Sequence, residues 1–521
     1  MTPGVLVNHS RLPRAADLCE RLVDQGVASR IAAGDSSLWG DQAQPEAAIR
    51  LGWVADPASM MPLVEKLETL RDELHREGIT RVVLCGMGGS SLAPEVMAAS
   101  AHVALDILDS THPDHVAAVV NTDLSDTLVV VSSKSGTTVE TATARAAFAA
   151  AFHHQHLDPI SRIVIVTDPD SPLHREATEV GHRVFLADAH VGGRFSALTA
   201  FGLVPATLAG VDTRAVLESA HNVWTIFHED SVENPALILA SALSDPAHDI
   251  AVLRAHPTLP GIGEWIEQLV AESTGKDGLG VLPVVSSTAS PADSGFDDVL
   301  AIGWGTDVAA DDSVTIEANL GESFLLWEYA TAAAGVLLGL NPFDQPDVES
   351  AKVAARALLD ALPTRQTPDA SGPDYALWST QPAADLESAW SALLKQLGPS
   401  GYLSVQLYGN RLALADVVDV REALVARVGR PVTIGFGPRF LHSTGQFHKG
   451  GVPDGVFLQV EVEPDADVDI PGYPYSFASL INAQSLGDRN VLVERGLPVL
   501  TLRVSSNEAA RTLIASLTDS E

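Results

Sequence analysis

Cysteine is nearly absent from this 521-residue sequence, which contains only Cys19 and Cys85. The two stand far apart, so neither a disulfide framework nor a cysteine-ligated zinc site is indicated. Both are expected to be inert thiols in a reducing compartment, where structural disulfides are rare. This scarcity argues against the class of small secreted proteins that depend on disulfides for stability.

Positive charge is also scarce. The chain has 32 Lys and Arg residues against 67 Asp and Glu residues, for a formal net charge of -35 at pH 7. Proteins that bind nucleic acids contact phosphates with clustered Lys and Arg, so a nucleic-acid partner is not expected. The composition instead predicts an acidic surface. An anionic substrate would therefore have to find a local positive site within negative surroundings.

Long hydrophobic runs are missing as well. No stretch approaches the roughly 20 apolar residues that a membrane-spanning helix needs. The start of the sequence also lacks the basic region and apolar segment of a secretory signal. We therefore expect a cytoplasmic protein with no membrane partner. Hydrophobic residues still make up 46% of the chain, which predicts a globular protein with a large core and two or three domains.

The most informative stretch follows a predicted buried strand. The apolar, largely β-branched run Leu128 to Val131 predicts that strand, and the Ala-rich run Ala142 to Phe152 predicts a helix. Between them lies Ser133-Lys-Ser-Gly-Thr-Thr138. The first N–H groups of a helix have no intrahelical partner and attract anions, so this loop is a candidate phosphate site. Thr137 and Glu140 alternatively fit a capping box, which needs no ligand.

A second polar loop follows the short buried strand predicted at Arg81 to Cys85. It has the sequence Gly86-Met-Gly-Gly-Ser-Ser91, and its glycines permit a tight turn and a close backbone approach to an anion. Asp106 and Asp109 follow about 20 residues later, which leaves a dinucleotide-binding interpretation open. The spacing is not the usual G-x-G-x-x-G, however. Both polar loops follow strands of one predicted parallel sheet, so we expect them at the same edge.

Strands alternate with helices along most of the chain, which predicts an α/β fold with mainly parallel sheets. Residues 1–60 are expected to form an N-terminal helical lead-in. A composition shift at 228–235 marks a domain boundary. We therefore expect residues 61–235 to form a first, phosphate-binding domain and residues 236–521 to form a second. Residues 364–385, rich in Pro, Asp, Gln and Ser, are expected to form an exposed loop.

Five short motifs occur in an order that resembles one enzyme family. They are Gly86-Met-Gly-Gly-Ser-Ser91, Ser133-Lys-Ser-Gly-Thr-Thr138, Gly192-Gly-Arg-Phe-Ser196, Glu272-Ser-Thr-Gly-Lys276 and Asn341-Pro-Phe-Asp-Gln345, the last followed by Lys352. This set resembles the phosphoglucose isomerases and covers most of the chain. It looks closest to the isomerase half of fused transaldolase/phosphoglucose isomerases. The resemblance implies two sugar-isomerase (SIS) domains, each a three-layer αβα sandwich with a mainly parallel sheet.

The resemblance also implies roles for individual residues. Glu272 would be the catalytic base that moves a proton between C1 and C2, which typically contributes about 10²–10⁴-fold to the rate. Arg194 would stabilise the enediolate, and Lys352 would assist ring opening. The residues implied in substrate binding are Gly88, Ser90, Ser91, Ser133, Lys134, Ser135, Thr138, Gly193, Gln268 and Gln345.

The position of the catalytic histidine departs from the family pattern. In ordinary members it lies between the glutamate and lysine motifs, but residues 273–352 contain no histidine. The matching pattern, Leu441-His-Ser-Thr-Gly-Gln446, follows Lys352 instead, which predicts that segments of the second domain have been reordered. His442 is therefore the expected ring-opening residue, because an imidazole can shuttle a proton at neutral pH. His448 and an ordinary solvated histidine in a glycine-rich loop remain alternatives.

The expected function is interconversion of glucose 6-phosphate and fructose 6-phosphate through a cis-enediol(ate), in glycolysis and gluconeogenesis. No cofactor or metal is expected; His153 and His156 on one predicted helix have no further ligands nearby in the sequence. The resemblance implies a homodimer, since family sites are usually completed across a two-fold interface. A sugar-phosphate-sensing SIS protein without catalysis, and an isomerase that prefers mannose 6-phosphate, remain alternatives.

Overall fold

The computed structural model describes residues 3–307, 311–348, 358–359 and 367–518. Within these ranges the apolar and β-branched runs of the sequence form strands, as expected from β propensity. The strands are β1 Gly4–Val7, β2 Arg81–Gly86, β3 Asp106–Leu108, β4 Thr127–Ser132, β5 Ile163–Thr167, β6 Arg183–Leu186, β7 Ile250–Leu253, β8 Leu282–Val285, β9 Val299–Trp304, β10 Val314–Glu317, β11 Ala370–Ser371, β12 Tyr375–Ser379, β13 Tyr402–Tyr408, β14 Val432–Phe436, β15 Gly455–Val462 and β16 Val499–Val504.

Helices connect most of these strands, so the predicted alternation of strand and helix is present in the structure. The α-helices are Ala15–Asp24, Val27–Ala32, Gln44–Ala47, Met61–Arg76, Leu92–Ser100, Pro113–Val120, Val139–His154, Pro159–Arg162, Pro172–Val180, Ala200–Ala209, Thr213–Trp224, Pro235–Leu243, Ile262–Thr274, Leu320–Leu338, Leu386–Leu394, Arg421–Val428, Gly445–Gly450, Phe477–Glu494 and Asn507–Ser516.

The first sheet contains β3, β2, β4, β5 and β6 in that order, and all its strands are parallel. Successive side chains point to opposite faces of each strand. Val129 packs on one face with Phe148 of the helix Val139–His154. Val130 packs on the other face with Leu70 of the helix Met61–Arg76. This unit is therefore the three-layer αβα arrangement expected within residues 61–235.

The second sheet has the order β1, β10, β9, β7 and β8. Its strands are parallel except β1, which pairs antiparallel with β10. The expectation that residues 1–60 are a helical lead-in is therefore wrong at Gly4–Val7. A four-residue edge strand shows no period of its own, and it forms because β10 supplies its hydrogen-bond partners.

The third sheet has the order β11, β12, β16, β15, β13 and β14. The pairs among β16, β15, β13 and β14 are parallel, whereas β12 pairs antiparallel with β11 and β16. The expected exposed loop at 364–385 is wrong in part, because Tyr375–Ser379 pairs with β16 along its whole length. Residues 364–366 lie outside the described ranges. An edge strand in a polar segment is not visible from composition, since its stability comes from the neighbouring strand.

The described strands of 236–521 thus form two sheets, whereas one α/β domain is expected there from the sequence. Each sheet has a hydrophobic cluster of its own, and a further cluster joins them, with Val252 and Val284 against Tyr402, Phe457 and Val499. Regular alternation of strands and helices cannot reveal where one sheet ends and another begins. The prediction of an α/β fold with mainly parallel sheets is confirmed. The domain boundaries and the reordering of segments stay predictions.

The two cysteines and the hydropathy of the helices can be described directly from the structure. Cys19 and Cys85 are both free and buried, and burial raises the pKa of both thiols, that of Cys19 to about 11. They therefore have the properties of inert thiols. No helix in the described ranges combines the length and the hydropathy that a bilayer-spanning segment requires.

Candidate active site

The predicted site residues surround a cavity of about 410 Å³ where the strand ends of the first sheet face the helix Ile262–Thr274. Because β2 and β4 are adjacent and parallel, with Gly86 opposite Ser132, the polar loops that follow them emerge side by side. The predicted residues that line this cavity are Gly88, Ser90, Lys134, Ser135, Thr138, Gly193, Arg194, Gln268, Glu272, Gln345 and His442.

The loop after β4 forms the wall expected to hold a phosphate. The helix Val139–His154 starts there, and its N-cap residue Thr138 makes no side-chain capping bond. The capping-box alternative is therefore not formed: Glu140 reaches across the molecule instead, and the Thr137 backbone N–H donates to Ser135 Oγ at 3.2 Å. The first-turn N–H groups and hydroxyls remain in place for an anion.

The single lysine of this loop is already paired. Lys134 Nζ lies 2.5 Å from Asp168 Oδ2, and it also donates to Ala189 O at 3.4 Å. Burial lowers the pKa of Lys134, and the burial of Asp168 raises the pKa of that carboxyl, while the ion pair opposes both shifts. The positive charge of Lys134 is thus largely compensated before any substrate enters.

Two glycines in the loop after β2 allow three segments to meet. Gly88 has φ of 52°, and a Cβ there would lie 2.6 Å from Gln268 Nε2 and 2.9 Å from His442 O. A Cβ at Gly89 would overlap the carbonyl group of Gly193. Only glycine permits both contacts. The loop therefore brings the first sheet, the helix Ile262–Thr274 and the histidine loop together.

Arg194 is buried and held from several sides. Its guanidinium donates to Ser273 Oγ at 2.8 Å, Gln345 Oε1 at 2.8 Å and Pro342 O at 2.6 Å. Glu272 Oε1 lies 3.6 Å from its Nη1 atom. Burial lowers the pKa of Arg194, and the carboxylate of Glu272 counters that shift. The arginine and the predicted base therefore share one wall of the cavity in a fixed geometry.

The segment that carries Gln345 is anchored by a lysine of the glutamate motif. Lys276 Nζ donates to Asn341 O at 2.7 Å, and to Asp344 O and Oδ1 at 2.6 and 2.7 Å. Burial lowers the pKa of Lys276 to about 8, and the nearby Arg194 adds to the decrease. This lysine contributes to the site by holding a loop, and it does not line the cavity.

His442 lies beside the base and has a carboxylate partner. Gln268 Nε2 donates both to His442 O at 2.8 Å and to Glu272 Oε2 at 3.0 Å, so the histidine and the base are joined by one amide. His442 Nε2 lies 3.2 Å from Glu140 Oε1, which also accepts a bond from Gln484 Nε2 at 2.7 Å.

The alternative histidine lies elsewhere. His448 is buried beside the apolar cluster between the second and third sheets, where its Nδ1 is 2.8 Å from the Tyr402 hydroxyl. Burial holds its pKa well below the ordinary value. His448 therefore has a neutral imidazole inside the core, in an environment that differs from the cavity where His442 lies.

The two acidic residues that a dinucleotide-binding site would need are already paired with arginines. Asp106 forms an ion pair with Arg81 at 2.7 Å, and the buried Asp109 lies 3.2 Å from Arg411. Burial alone would raise the pKa of Asp109, but Arg411 and Arg439 outweigh it and hold the pKa at about 2. Both carboxylates already serve structural ion pairs, so neither is placed to receive a ribose.

Two of the predicted site residues within the described ranges, Ser91 and Ser133, do not line the cavity. Ser91 is fully buried and donates to Gly88 O at 3.3 Å, and Ser133 Oγ donates to Thr138 Oγ1 at 3.3 Å. Both side chains therefore stabilise the loops through internal hydrogen bonds. Lys352 lies outside the described residues.

Two residues that no sequence motif assigns to the site, Glu140 and Arg439, hold the histidine loop in place. Glu140 was visible only as a capping residue, and no local pattern shows that its carboxylate meets His442. Arg439, three positions before His442, binds Asp109 and lies 2.6 Å from Glu95 Oε2, which ties the histidine loop to the first sheet. Such pairs join residues more than 300 positions apart, so no spacing in the sequence could reveal them. Among the residues described, no cluster of three metal-ligating side chains occurs.

Comparison with known proteins identifies relatives of this chain. Residues 58–279 match the family model described as Phosphoglucose isomerase. A glucose-6-phosphate isomerase from Rubrobacter xylanophilus is 28% identical over 384 residues, which cover 57% of this chain and 88% of the relative. A glucose-6-phosphate isomerase from Thermus thermophilus is 34% identical over 238 residues, which cover 42% of this chain and 57% of the relative.

Solved structures share the fold. A hypothetical protein from Thermus thermophilus superposes with a TM-score of 0.57 at 24% identity, covering 68% of this chain and 100% of the other. A glucose-6-phosphate isomerase from Chlamydia trachomatis superposes with a TM-score of 0.52 at 19% identity, covering 67% of this chain and 86% of the other. At these identities the likeness supports the mixed α/β architecture.

Proposed function

Because the chain belongs to the phosphoglucose isomerase family, we propose that it interconverts glucose 6-phosphate and fructose 6-phosphate through a cis-enediol(ate) intermediate. The activity is a step of glycolysis and gluconeogenesis. The observation that carries the proposal is the meeting of Glu272, Arg194 and His442 in one cavity with the hydroxyl-rich loop after β4. A carboxylate, a guanidinium, an imidazole and an anion site are the groups that this reaction requires.

The proton transfer is assigned to Glu272. One carboxylate beside both C1 and C2 can remove a proton from one carbon and return it to the other. Negative charge develops on the neighbouring oxygen, and the Arg194 guanidinium, 3.6 Å from Glu272, is placed to stabilise it. Arg194 is fixed by Ser273 and Gln345, so it needs no rearrangement when that charge appears.

Ring opening is assigned to His442, supported by Glu140. The 3.2 Å contact between His442 Nε2 and Glu140 Oε1 fixes the orientation of the imidazole. Gln484 holds the carboxylate from the other side at 2.7 Å. Lys352, which resembles the lysine that assists ring opening, is kept as part of the proposal from the sequence motif. Substrate contacts are proposed for the loop residues that line the cavity.

The direct test is conversion of fructose 6-phosphate by the purified protein, followed with glucose-6-phosphate dehydrogenase as the coupling enzyme. Glu272→Gln should lower kcat by about 10²–10⁴-fold. Glu264→Gln is the matched control on the same helix: Glu264 lines another cavity, and burial raises the pKa of its carboxyl, so an amide mimics its neutral form. The control should keep near wild-type activity. Absence of wild-type turnover would contradict the proposal.

The same assay separates the two alternatives. A sugar-phosphate sensor would bind fructose 6-phosphate without converting it, although nothing in the described part of the site favours that outcome over catalysis. An isomerase that prefers mannose 6-phosphate would show a higher kcat/KM in a parallel assay with that sugar. The ratio of the two kcat/KM values therefore measures the specificity directly.

Assembly and location are further parts of the proposal. A homodimer is favoured by the family resemblance and by the general prevalence of two-fold assemblies, and analytical ultracentrifugation would measure it. A cytoplasmic location fits the two buried free thiols and the metabolic role. The likeness to the isomerase half of fused transaldolase/phosphoglucose isomerases stays a prediction from the motifs.

A further inference from the structure

We propose that Arg50, from the N-terminal segment, is an additional substrate-binding residue whose guanidinium contacts the phosphate group of the bound sugar. No motif in the sequence points to this residue. The inference deepens the proposed function and rests on it for the identity of the substrate. It rests on the structure for the position of the guanidinium.

Arg50 lines the same cavity as Lys134, Ser135 and Thr138 of the proposed phosphate loop. Its Nη1 atom donates to Ala189 O at 3.0 Å, and Lys134 Nζ donates to the same oxygen at 3.4 Å. Two cationic groups from distant parts of the chain therefore meet at one carbonyl oxygen beside the loop. Arg50 also acts electrostatically on Lys134, lowering its pKa, although burial is the larger cause of that decrease.

The backbone next to Arg50 is attached to residues 190–191, and this attachment places the Arg50 side chain at the edge of the cavity. Leu51 forms an antiparallel bridge with Val191, and Gly52 N donates to His190 O at 3.0 Å. A Cβ at Gly52 would lie 3.0 Å from Val191 Cγ2. The bridge ends one residue before Gly192, so the segment that carries Arg50 is attached to the loop that carries Arg194.

The guanidinium has donors to spare. Its Nε atom donates to Glu46 Oε1 at 2.7 Å and its Nη1 atom to Ala189 O, while Nη2 has no hydrogen bond to any residue that the structure describes. Arginine presents five donors in a planar fork that suits phosphate oxygens. The side chain is 25% exposed, so it can turn toward a ligand in the cavity without unfolding the segment.

The charge balance of the cavity explains why such a residue is needed. Asp168 compensates Lys134, and Arg194 is engaged with Glu272 and four acceptors on the far wall. The protein as a whole carries a formal charge of -35. Without a further cation, only hydroxyls and helix N–H groups would offset the repulsion between the phosphate dianion and the negatively charged protein. Arg50 brings a second cation beside Lys134; Glu46, 2.7 Å from its Nε atom, offsets part of that charge, and the Nη2 group still offers donors to a phosphate.

The test measures binding of inorganic phosphate by isothermal titration calorimetry at constant ionic strength, because surface charges are screened by salt. Arg50→Gln should weaken phosphate binding about tenfold, the loss expected for one charge-assisted hydrogen bond. In the isomerase assay it should raise KM for fructose 6-phosphate similarly and leave kcat within about twofold. Arg30→Gln is the matched control, since Arg30 forms a similar local ion pair with Asp35 at 2.7 Å in the same N-terminal region.

Unchanged phosphate affinity in Arg50→Gln, or an equal loss in Arg30→Gln, would overturn the inference. If Arg50→Gln does not fold, Arg50→Lys keeps the charge but loses the fork, and a loss of about threefold in phosphate affinity is then expected; no loss would overturn the inference. Calorimetry requires no turnover. Phosphate binding that depends on Arg50 in a protein without isomerase activity would therefore refute the proposed function alone, and an active enzyme indifferent to Arg50 would refute this inference alone.

Discussion

Individual side chains in this site acquire their chemistry from neighbours that are distant in sequence. Glu140 is three positions after Thr137 and fits a helix cap, yet its carboxylate contacts His442 and Gln484. The sequence predicts His442 and His448 in one glycine-rich loop, but the first lies in the cavity and the second in the buried interior. Residue type alone therefore suggests candidates, and the surroundings distinguish them.

The role of His442 makes a prediction that separates two chemical steps. His442→Ala should slow turnover of cyclic glucose 6-phosphate by about 10²–10⁴-fold, because opening the ring needs a proton shuttle. It should slow proton exchange on an open-chain analogue far less, since that step uses Glu272. Both rates can be followed by NMR in deuterated water. Equal losses for the two substrates would rule out ring opening as the role of His442.

At the scale of elements, the helix Ile262–Thr274 serves two cavities at once. Its last two turns present Gln268 and Glu272 to the proposed active site. Glu264 and Glu267 of the same helix line a different cavity of about 340 Å³, which Ser443 also lines. Ser443, which follows His442 in the chain, donates its hydroxyl to Glu267 Oε1 at 3.2 Å. One helix thus couples the base to the loop that carries the histidine.

The half-buried carboxyl of Glu267, beside Ser443, predicts a pH-dependent stability. Burial raises its pKa from 4.5 to about 8, with a further increase from Glu264. Between these values the folded protein holds a proton that the unfolded chain has released, so this group makes stability fall as pH rises. Glu267→Gln should remove the effect and raise the free energy of unfolding on the order of 1–3 kcal/mol near pH 8, since each pKa unit corresponds to about 1.4 kcal/mol.

Urea denaturation at a series of pH values measures that prediction. The stability difference between Glu267→Gln and wild type should grow steadily from about pH 5.5 to about pH 8 and then level off. Glu264→Gln, on the same helix, serves for comparison because its pKa is also raised by burial. A difference for Glu267→Gln that stays constant with pH would show that this carboxyl does not titrate as inferred.

At the scale of the whole molecule, all three sheets contribute to one cavity. The first sheet supplies the polar loops, the second is followed by the segment that carries Gln345, and the histidine loop lies between strands of the third. Arg439 and Arg411 bind Glu95 and Asp109, which holds the third sheet against the first. His442 and Glu272 of the same chain line this cavity together, whereas the family resemblance implies a site completed across a two-fold interface.

A complementation experiment distinguishes these two arrangements. Glu272→Gln and His442→Ala chains, co-expressed with different tags and purified as a mixed dimer, should have no more activity than the two variants alone. A site shared between chains would instead restore one intact site in each mixed dimer, or about half of wild-type activity. A mixed dimer of wild type and Glu272→Gln provides the reference for one working site. Recovery in the first mixture would contradict a site contained within one chain.

Local patterns in the sequence were sufficient for the α/β class and for the polar loops after β2 and β4. Strand, turn and helix signals act over a few residues, and the carboxyl ends of parallel strands must share an edge, so Gly88, Lys134 and Thr138 could be placed together in advance. The strands predicted at Leu128 to Val131 and at Arg81 to Cys85 agree with β4 and β2 within one residue at each end.

The pairing of distant segments could not be obtained in this way. The strands β1 and β12 exist because other strands supply their hydrogen bonds, and they carry no periodicity of their own. The contacts of Glu140 with His442 and of Arg50 with the oxygen that Lys134 also binds join segments far apart in the chain. Short-range patterns determine which element a residue belongs to. The packing of sheets and loops over long distances determines which residues finally touch.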